Sequence, residues 1–174
     1  TASMWVKYNE ISGARLLMGK SSNGPNNMEY GGWEIRSNGT AVEMQVNFRD
    51  RLMVNNQAVI RADNALSNGV WQHLVMVIDR DGGSESGELR GYLNGVALAE
   101  PVALPQGAGP IMAAMNSSGY GGGSPFRVGG HAHLNCSGEG NAKVCELAAG
   151  QAFDDVKIYH KALSEAEIQA LSVR

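Results

Sequence analysis

The run WQHLVMVID, residues 71 to 79, constrains the fold more than any other stretch of the chain. Its centre, Leu74 to Ile78, is apolar on both faces. A strand of that kind is covered on both sides, as in the middle of a sandwich. A second run, TAVEMQVNFR at 40 to 49, alternates cleanly. Val42, Met44, Val46 and Phe48 share one face; Glu43, Gln45, Asn47 and Arg49 share the other. That pattern predicts a half-buried strand with a wet face. ELRGYLNGVALAE then reads as a hairpin turning on Asn94-Gly95, since both residues tolerate positive φ. Further strands are expected at 2–8, 14–19, 32–37, 125–129 and 153–159.

A chain of 174 residues suits one domain with a sizeable core, 1–174. Gly is abundant, at 23 residues, and helix-period segments are few, which points to an all-β protein rich in turns. A net charge of -3 provides no basic field to recruit nucleic acid or anionic lipid. No apolar run reaches membrane-spanning length, so membrane insertion is not expected. The chain starts inside a strand pattern, TASMWVKY, and reads as a piece cut from a longer precursor with attached domains. Stretches 21–27, 105–124 and 130–150 read as loops, and long loops are often functional.

Cys136 and Cys145, in NCSGEGNAKVCE, are separated by eight residues with Gly and Asn between them. A disulfide is the first reading. It would contribute about 2–3 kcal/mol by closing the loop, and it implies an oxidising compartment. Two free thiols are the alternative. Zinc is disfavoured because neither a C-x-x-C spacing nor a second cysteine pair is present.

The segment FDDVKIYHKALSEAEIQAL carries a helix start. Ser164 is the cap and Glu167, three residues on, completes a capping box. Leu163 and Ile168 form the staple pair around it. Ile168 and Leu171 share a face that must dock, because so short a helix does not stand alone in water. An edge or end of the sandwich is the expected dock.

Taken in order, SMWVKYNE, GGWEIRSNG, GVWQHLVMVID, LRGYLNGVALAE, FRVGG and FDDVKIYHKALSEAEIQAL resemble the laminin-G-like (concanavalin A-like) jelly-roll domains of bacterial secreted proteins. The resemblance covers nearly the whole chain. It implies two packed antiparallel sheets with a short C-terminal helix, and Trp5 and Trp71 at core positions. It also implies an N-terminal segment, absent here, that carries an early strand and a loop contributing to a calcium site. Asp154 is the residue the resemblance places near that metal. Calcium wants about six to eight oxygens, and Asp154 with a few carbonyls would make a weak site. The other reading of Asp154 is a carboxylate that accepts backbone amides and pins a strand end.

Catalysis is not expected. A glycosidase needs two carboxylates roughly 5 to 9.5 Å apart. Asp154 and Asp155 are neighbours on one strand and point to opposite faces. The alternating carboxylates of jelly-roll glycosidases, and the Arg, Gln-x-His and Tyr set of lyases, have no counterpart here. His131 and His133 would share a strand face and fit a transition metal, but no third ligand is evident. They read better as loop residues touching a ligand. Aromatics are only 6% of the chain, which argues for a loop-built pocket rather than a flat aromatic surface. Tyr120, between glycines in SSGYGGGS, leads the candidate sugar platforms, with Tyr30 and Trp33 behind it. Three glycosylation acceptor patterns, at Asn38, Asn116 and Asn135, are weak signals in so Asn- and Ser-rich a chain.

The expectation is a recognition module of an extracellular, cell-surface or periplasmic protein, binding a glycan without catalysis of its own. The alternatives are a protein-interaction or adhesion domain of a surface or pilus-associated protein, and a polysaccharide-active enzyme with an unrecognised site.

Overall fold

The computed structural model describes residues 1–23, 29–49, 55–80, 87–105, 126–129, 136–137, 144–145 and 150–174. At 21–23, 29–31, 48–49, 55–56, 136–137 and 144–145 only the backbone is described. The elements are β1 (Ala2–Tyr8), β2 (Ala14–Asn23), β3 (Glu29–Asn38), β4 (Ala41–Arg49), β5 (Asn55–Ala62), β6 (Trp71–Asp79), β7 (Glu88–Leu93), β8 (Val96–Ala97), β9 (Val102–Ala103), β10 (Arg127–Val128), β11 (Cys136–Ser137), β12 (Val144–Cys145), β13 (Gln151–Ile158) and α1 (Glu165–Leu171). One antiparallel sheet runs β13-β1-β6-β7-β8, with β9 also paired to β7. The second runs β10-β2-β3-β4-β5. The two face each other as a jelly-roll sandwich, the expected fold.

The core fills the space between the sheets largely by alternation, broken at the β2 irregularity where Leu17 and Met18 are both in the core. Met4, Val6 and Tyr8 of β1 and Leu74 and Met76 of β6 face Met18, Ile35, Met44, Val46 and Ile60 of the second sheet. Four of these buried residues are methionines, Met4, Met18, Met44 and Met76. Gly91 lets the sheets touch, because a Cβ there would lie 2.9 Å from Met44 Sδ. Strand β6 is central, bonded to β1 on one side and β7 on the other. Its odd residues Val75 and Val77 face away from this core and lie under α1. That is the two-sided burial its sequence predicts.

The helix is built as its sequence reads. Ser164 Oγ accepts from the Glu167 N–H, and Glu167 Oε2 accepts from the Ser164 N–H at 2.9 Å. Leu163 and Ile168 then pack with Val75, Val77 and Tyr92. The helix therefore covers the outer face of the first sheet, across β6 and β7, rather than an edge or end. The reason is the second apolar face of β6, which needs a cover.

Asn94 and Gly95 take φ of 50° and 81°, the two-residue turn that suits strand twist. Asn94 Oδ1 accepts the His73 N–H at 2.8 Å, tying the hairpin to β6. A Cβ on Gly95 would also lie 2.7 Å from Ser172 Oγ, at the end of α1. Gly95→Ala is therefore expected to lower stability by about 1–2 kcal/mol in a urea melt. An unchanged midpoint would show that the hairpin tip shifts freely.

Two expectations need correction. The polar face of β4 is not wet: Gln45 and Asn47 are 3% and 4% exposed. Gln45 lies in a buried network in which its Nε2 donates to Glu34 Oε2 at 3.1 Å and Arg36 Nη2 donates to its Oε1 at 2.8 Å. Arg36 also pairs with Glu43, so opposite charges offset their own burial. Trp5 is buried as expected, though outside the inter-sheet cluster, whereas Trp71 is only half-buried. Met4 and Val6 take the inter-sheet side of β1, so Trp5 points outward. There it stacks on His73 with ring centroids 5.0 Å apart. The Arg174 guanidinium lies over both rings, 5.4 Å from Trp5 and 4.1 Å from Trp71.

Candidate functional site

Trp33 is the one glycan-binding candidate from the sequence whose side chain is described. Tyr120, His131 and His133 lie outside the described residues, and only the backbone of Tyr30 is described. Strand β3 presents Trp33, Ile35 and Ser37 toward the first sheet, opposite Val46, Met44 and Val42 of β4. Ile35 and Ser37 are buried, whereas Trp33, nearer the strand end, is only half-buried. On the other flank Lys20 of β2 is its directly paired neighbour. Phe126, 43% exposed, sits tilted against the indole at 6.1 Å between centroids.

Trp33 and Lys20 form one wall of a cleft between the sheets, of about 290 Å³. Ala2, Met76, Ile78 and Ile158 from the first sheet, with Thr1 and Tyr159, form the rest. Met76 and Ala2 are buried and make the floor; Ile158, half exposed, stands at the mouth. The Thr1 hydroxyl is already committed: it donates to Lys161 O at 2.7 Å and accepts the Leu163 N–H at 3.0 Å. The Thr1 amino group is committed too, to Tyr159 O at 3.0 Å and Lys161 O at 3.1 Å. An apolar cleft with an aromatic wall and a single charged side chain among its described lining residues is built to hold a small ligand by one face and orient it by one polar contact. Lys20 was not legible as a site residue. Its only signal was the alternation Met18-Gly19-Lys20, which runs straight into what reads as a loop.

Asp154 and Asp155 do not follow strand alternation. Strand β13 carries an extra residue against β1, between the pairs Ser3–Lys157 and Trp5–Asp154. Asp155 adopts φ 51° at this bulge, a conformation that Asp tolerates better than most residues. Both carboxylates are exposed, and each has its own cation. Asp154 Oδ2 accepts from Arg174 Nη2 at 2.6 Å, and Asp155 Oδ2 pairs with Lys157 at 3.0 Å. Asp154 Oδ1 accepts the Asp155 N–H at 2.8 Å. Asp154 thus braces the bulge in the middle of β13 rather than a strand end, and its second oxygen is taken by the Arg174 guanidinium. Among the described residues, no group of three or more acidic, His or Cys side chains is arranged to hold a metal. The donors described around Asp154 do not fit calcium.

One further pair has a catalytic look. Ser3 Oγ and His73 Nε2 are 2.8 Å apart. Both residues are only 1% exposed, and His73 Nδ1 has no hydrogen-bond partner. Without a carboxylate to orient the ring, and without access for a substrate, the pair is a packing contact of the outer face.

The family described as the concanavalin A-like lectin/glucanases superfamily, of laminin-G type, matches residues 1–169. The chain belongs to this family. No protein of curated function matches the sequence. Among solved structures, this laminin-G-like domain is similar to the CBM40 module of the Ruminococcus gnavus IT-sialidase. The TM-score is 0.58 at 13% identity, covering 99% of this chain and 81% of that one. The same module bound to α2,3-sialyllactose gives 0.55 at 12%, again over 99% and 81%. The leech intramolecular trans-sialidase gives 0.62 at 18%, over 99% of this chain but only 23% of that enzyme. At such identities the likeness is one of fold. No helix of the described residues is long and apolar enough to cross a membrane.

Proposed function

We propose that this laminin-G-like domain is a non-catalytic carbohydrate-binding module of an extracellular, cell-surface or periplasmic protein, with Trp33 as the surface on which a sugar ring stacks. The observation that carries the reading is the cleft: a half-buried indole and an apolar floor lining one space between the sheets. Membership of a lectin/glucanase superfamily supports it, as does the fold shared with a sialidase's carbohydrate-binding module. The α2,3-sialyllactose held by that module makes sialylated glycans the first ligands to try. Strands β11 and β12 set Cys136 directly opposite Cys145. That register suits a cross-strand disulfide, since facing Cα atoms in an antiparallel pair lie within bridging range. Such a bond belongs to a protein working outside the reducing cytosol.

Trp33→Leu keeps an apolar filler but removes the flat ring. Titrated against a glycan panel with and without calcium, it is expected to bind at least roughly tenfold more weakly than the parent, equivalent to about 1.4 kcal/mol. Its far-UV spectrum should be unchanged. Undiminished affinity in the variant would place the sugar elsewhere. A parent that binds nothing in the panel would count against carbohydrate recognition altogether.

A further inference from the structure

Among the described residues the cationic side chains are almost all spoken for. Arg36 and Arg61 share Glu43, Arg90 takes Asp79 and Glu88, and Arg174 takes Asp154. Arg15, Arg80 and Arg127 are engaged as well. Lys157 pairs with Asp155, and Lys161 with Glu167. Of the lysines with described side chains, only Lys7 and Lys20 have no acidic partner. Lys20 is the one that lines the cleft, and it is the only charged side chain among the described residues that do so.

Its place in the strand is unusual for a lysine. Met18, two residues earlier, is in the core, and Lys20 faces the same way as Met18 and as its paired neighbour Trp33. Directly paired side chains on one face have Cβ atoms about 4.5–5.5 Å apart. The ammonium and the indole therefore act on the same small volume. Lys20 is exposed at the rim of the cleft, beside the apolar lining of Met76, Ile78 and Ile158, and its ammonium has no acidic partner among the described residues. It is free to meet an anion that enters the cleft. Asp79, whose carboxylate acts on the Thr1 amino group, is paired with Arg90 at 3.1 Å.

We infer that the cleft selects a carboxylated sugar, with the ring on Trp33 and the carboxylate on Lys20 Nζ. The inference rests on the carbohydrate-binding reading above and narrows it to acidic sugars. The volume, near the lower end of the roughly 300–1,000 Å³ usual for ligand pockets, suits a terminal acidic residue rather than a run of backbone sugars. The competing explanation is that Lys20 guards a strand edge, because β10 covers β2 only at Met18 and Gly19. A guarding lysine would have no effect on which sugar binds.

The test uses matched pairs of sugars that differ only in the acid: methyl glucuronide with methyl glucoside, methyl galacturonide with methyl galactoside, and sialyllactose with lactose. Each is titrated into the parent protein and Lys20→Gln, at low and at high salt. In a pair that binds, the acidic member should bind roughly tenfold or more tightly to the parent, as expected of a charge-assisted hydrogen bond. High salt should shrink the gap. Lys20→Gln should close it to within about twofold, because the acidic member loses far more affinity than the neutral one. Equal binding of both members by the parent, or a preference that survives in Lys20→Gln, overturns the inference and leaves the carbohydrate reading standing. A parent that binds no member of any pair overturns both.

Discussion

Between pH 6.5 and pH 4 the folded domain is expected to lose up to about 3 kcal/mol of stability through His73 alone. Burial pushes this imidazole down to about 4, with the nearby Lys157 ammonium adding to the effect and Asp155 opposing it. The ring is 1% exposed, stacked on Trp5, with Nδ1 unpartnered, so the fold accommodates it neutral. In the unfolded chain it takes a proton near pH 6.5. As pH falls through that window the unfolded state binds a proton that the folded state refuses, and stability falls. Below about pH 4 both states are protonated and the effect saturates. The check is a series of urea melts at pH 7, 5.5 and 4.5 on the parent and on His73→Gln. The parent should lose more stability than the variant over the range, which removes the background from other titrating groups. Parallel pH profiles would sink the assignment.

Ile168→Asp should be the most damaging single change among those considered. Ile168 is fully buried between Leu163 and the outward residues Val75, Val77 and Tyr92. A carboxylate there must either stay buried without a partner or lift the helix off the sheet. Either outcome costs about 4 kcal/mol, which for a domain of this size lowers Tm by roughly 10 °C. Ile168→Val removes one methylene and should cost only about 1 kcal/mol. Because the exposed strip of β6 and β7 is apolar, the Asp variant should also self-associate on a sizing column. Equal melting of the two variants would show that the helix contributes little to the fold.

The fold was largely written into the strand periodicities. β1 and β6 occupy the residues their patterns predict, since their apolar residues recur without interruption. β5 escaped because its inward positions, Ala58, Ile60 and Ala62, carry little hydrophobic signal and follow a pair of asparagines that reads as a turn. Alternation tells which residues share a face but not which face looks inward when both are apolar. In β1 both faces are largely buried, and Trp5 lies on the outer one. Alternation also cannot foresee a bulge, so the argument separating Asp154 from Asp155 relied on a regular strand that is not there. The carboxylates turn out to be held apart by different cations instead. The cleft was the least legible feature. Its two walls come from strands remote in sequence, and Lys20 acquires meaning only beside Trp33 and beneath Met76.

The four methionines of the described core have a chemical consequence in an oxidising medium. Thioethers fill irregular gaps well, but they are oxidisable to polar sulfoxides. Met4, Met18, Met44 and Met76 are at most 1% exposed, so oxidants reach them only when the sandwich opens. Each opening then risks adding an oxygen where Gly91 leaves no spare room against Met44. A molecule damaged in this way cannot close as tightly again. How often the sheets part therefore sets how long the protein lasts in an oxidising medium.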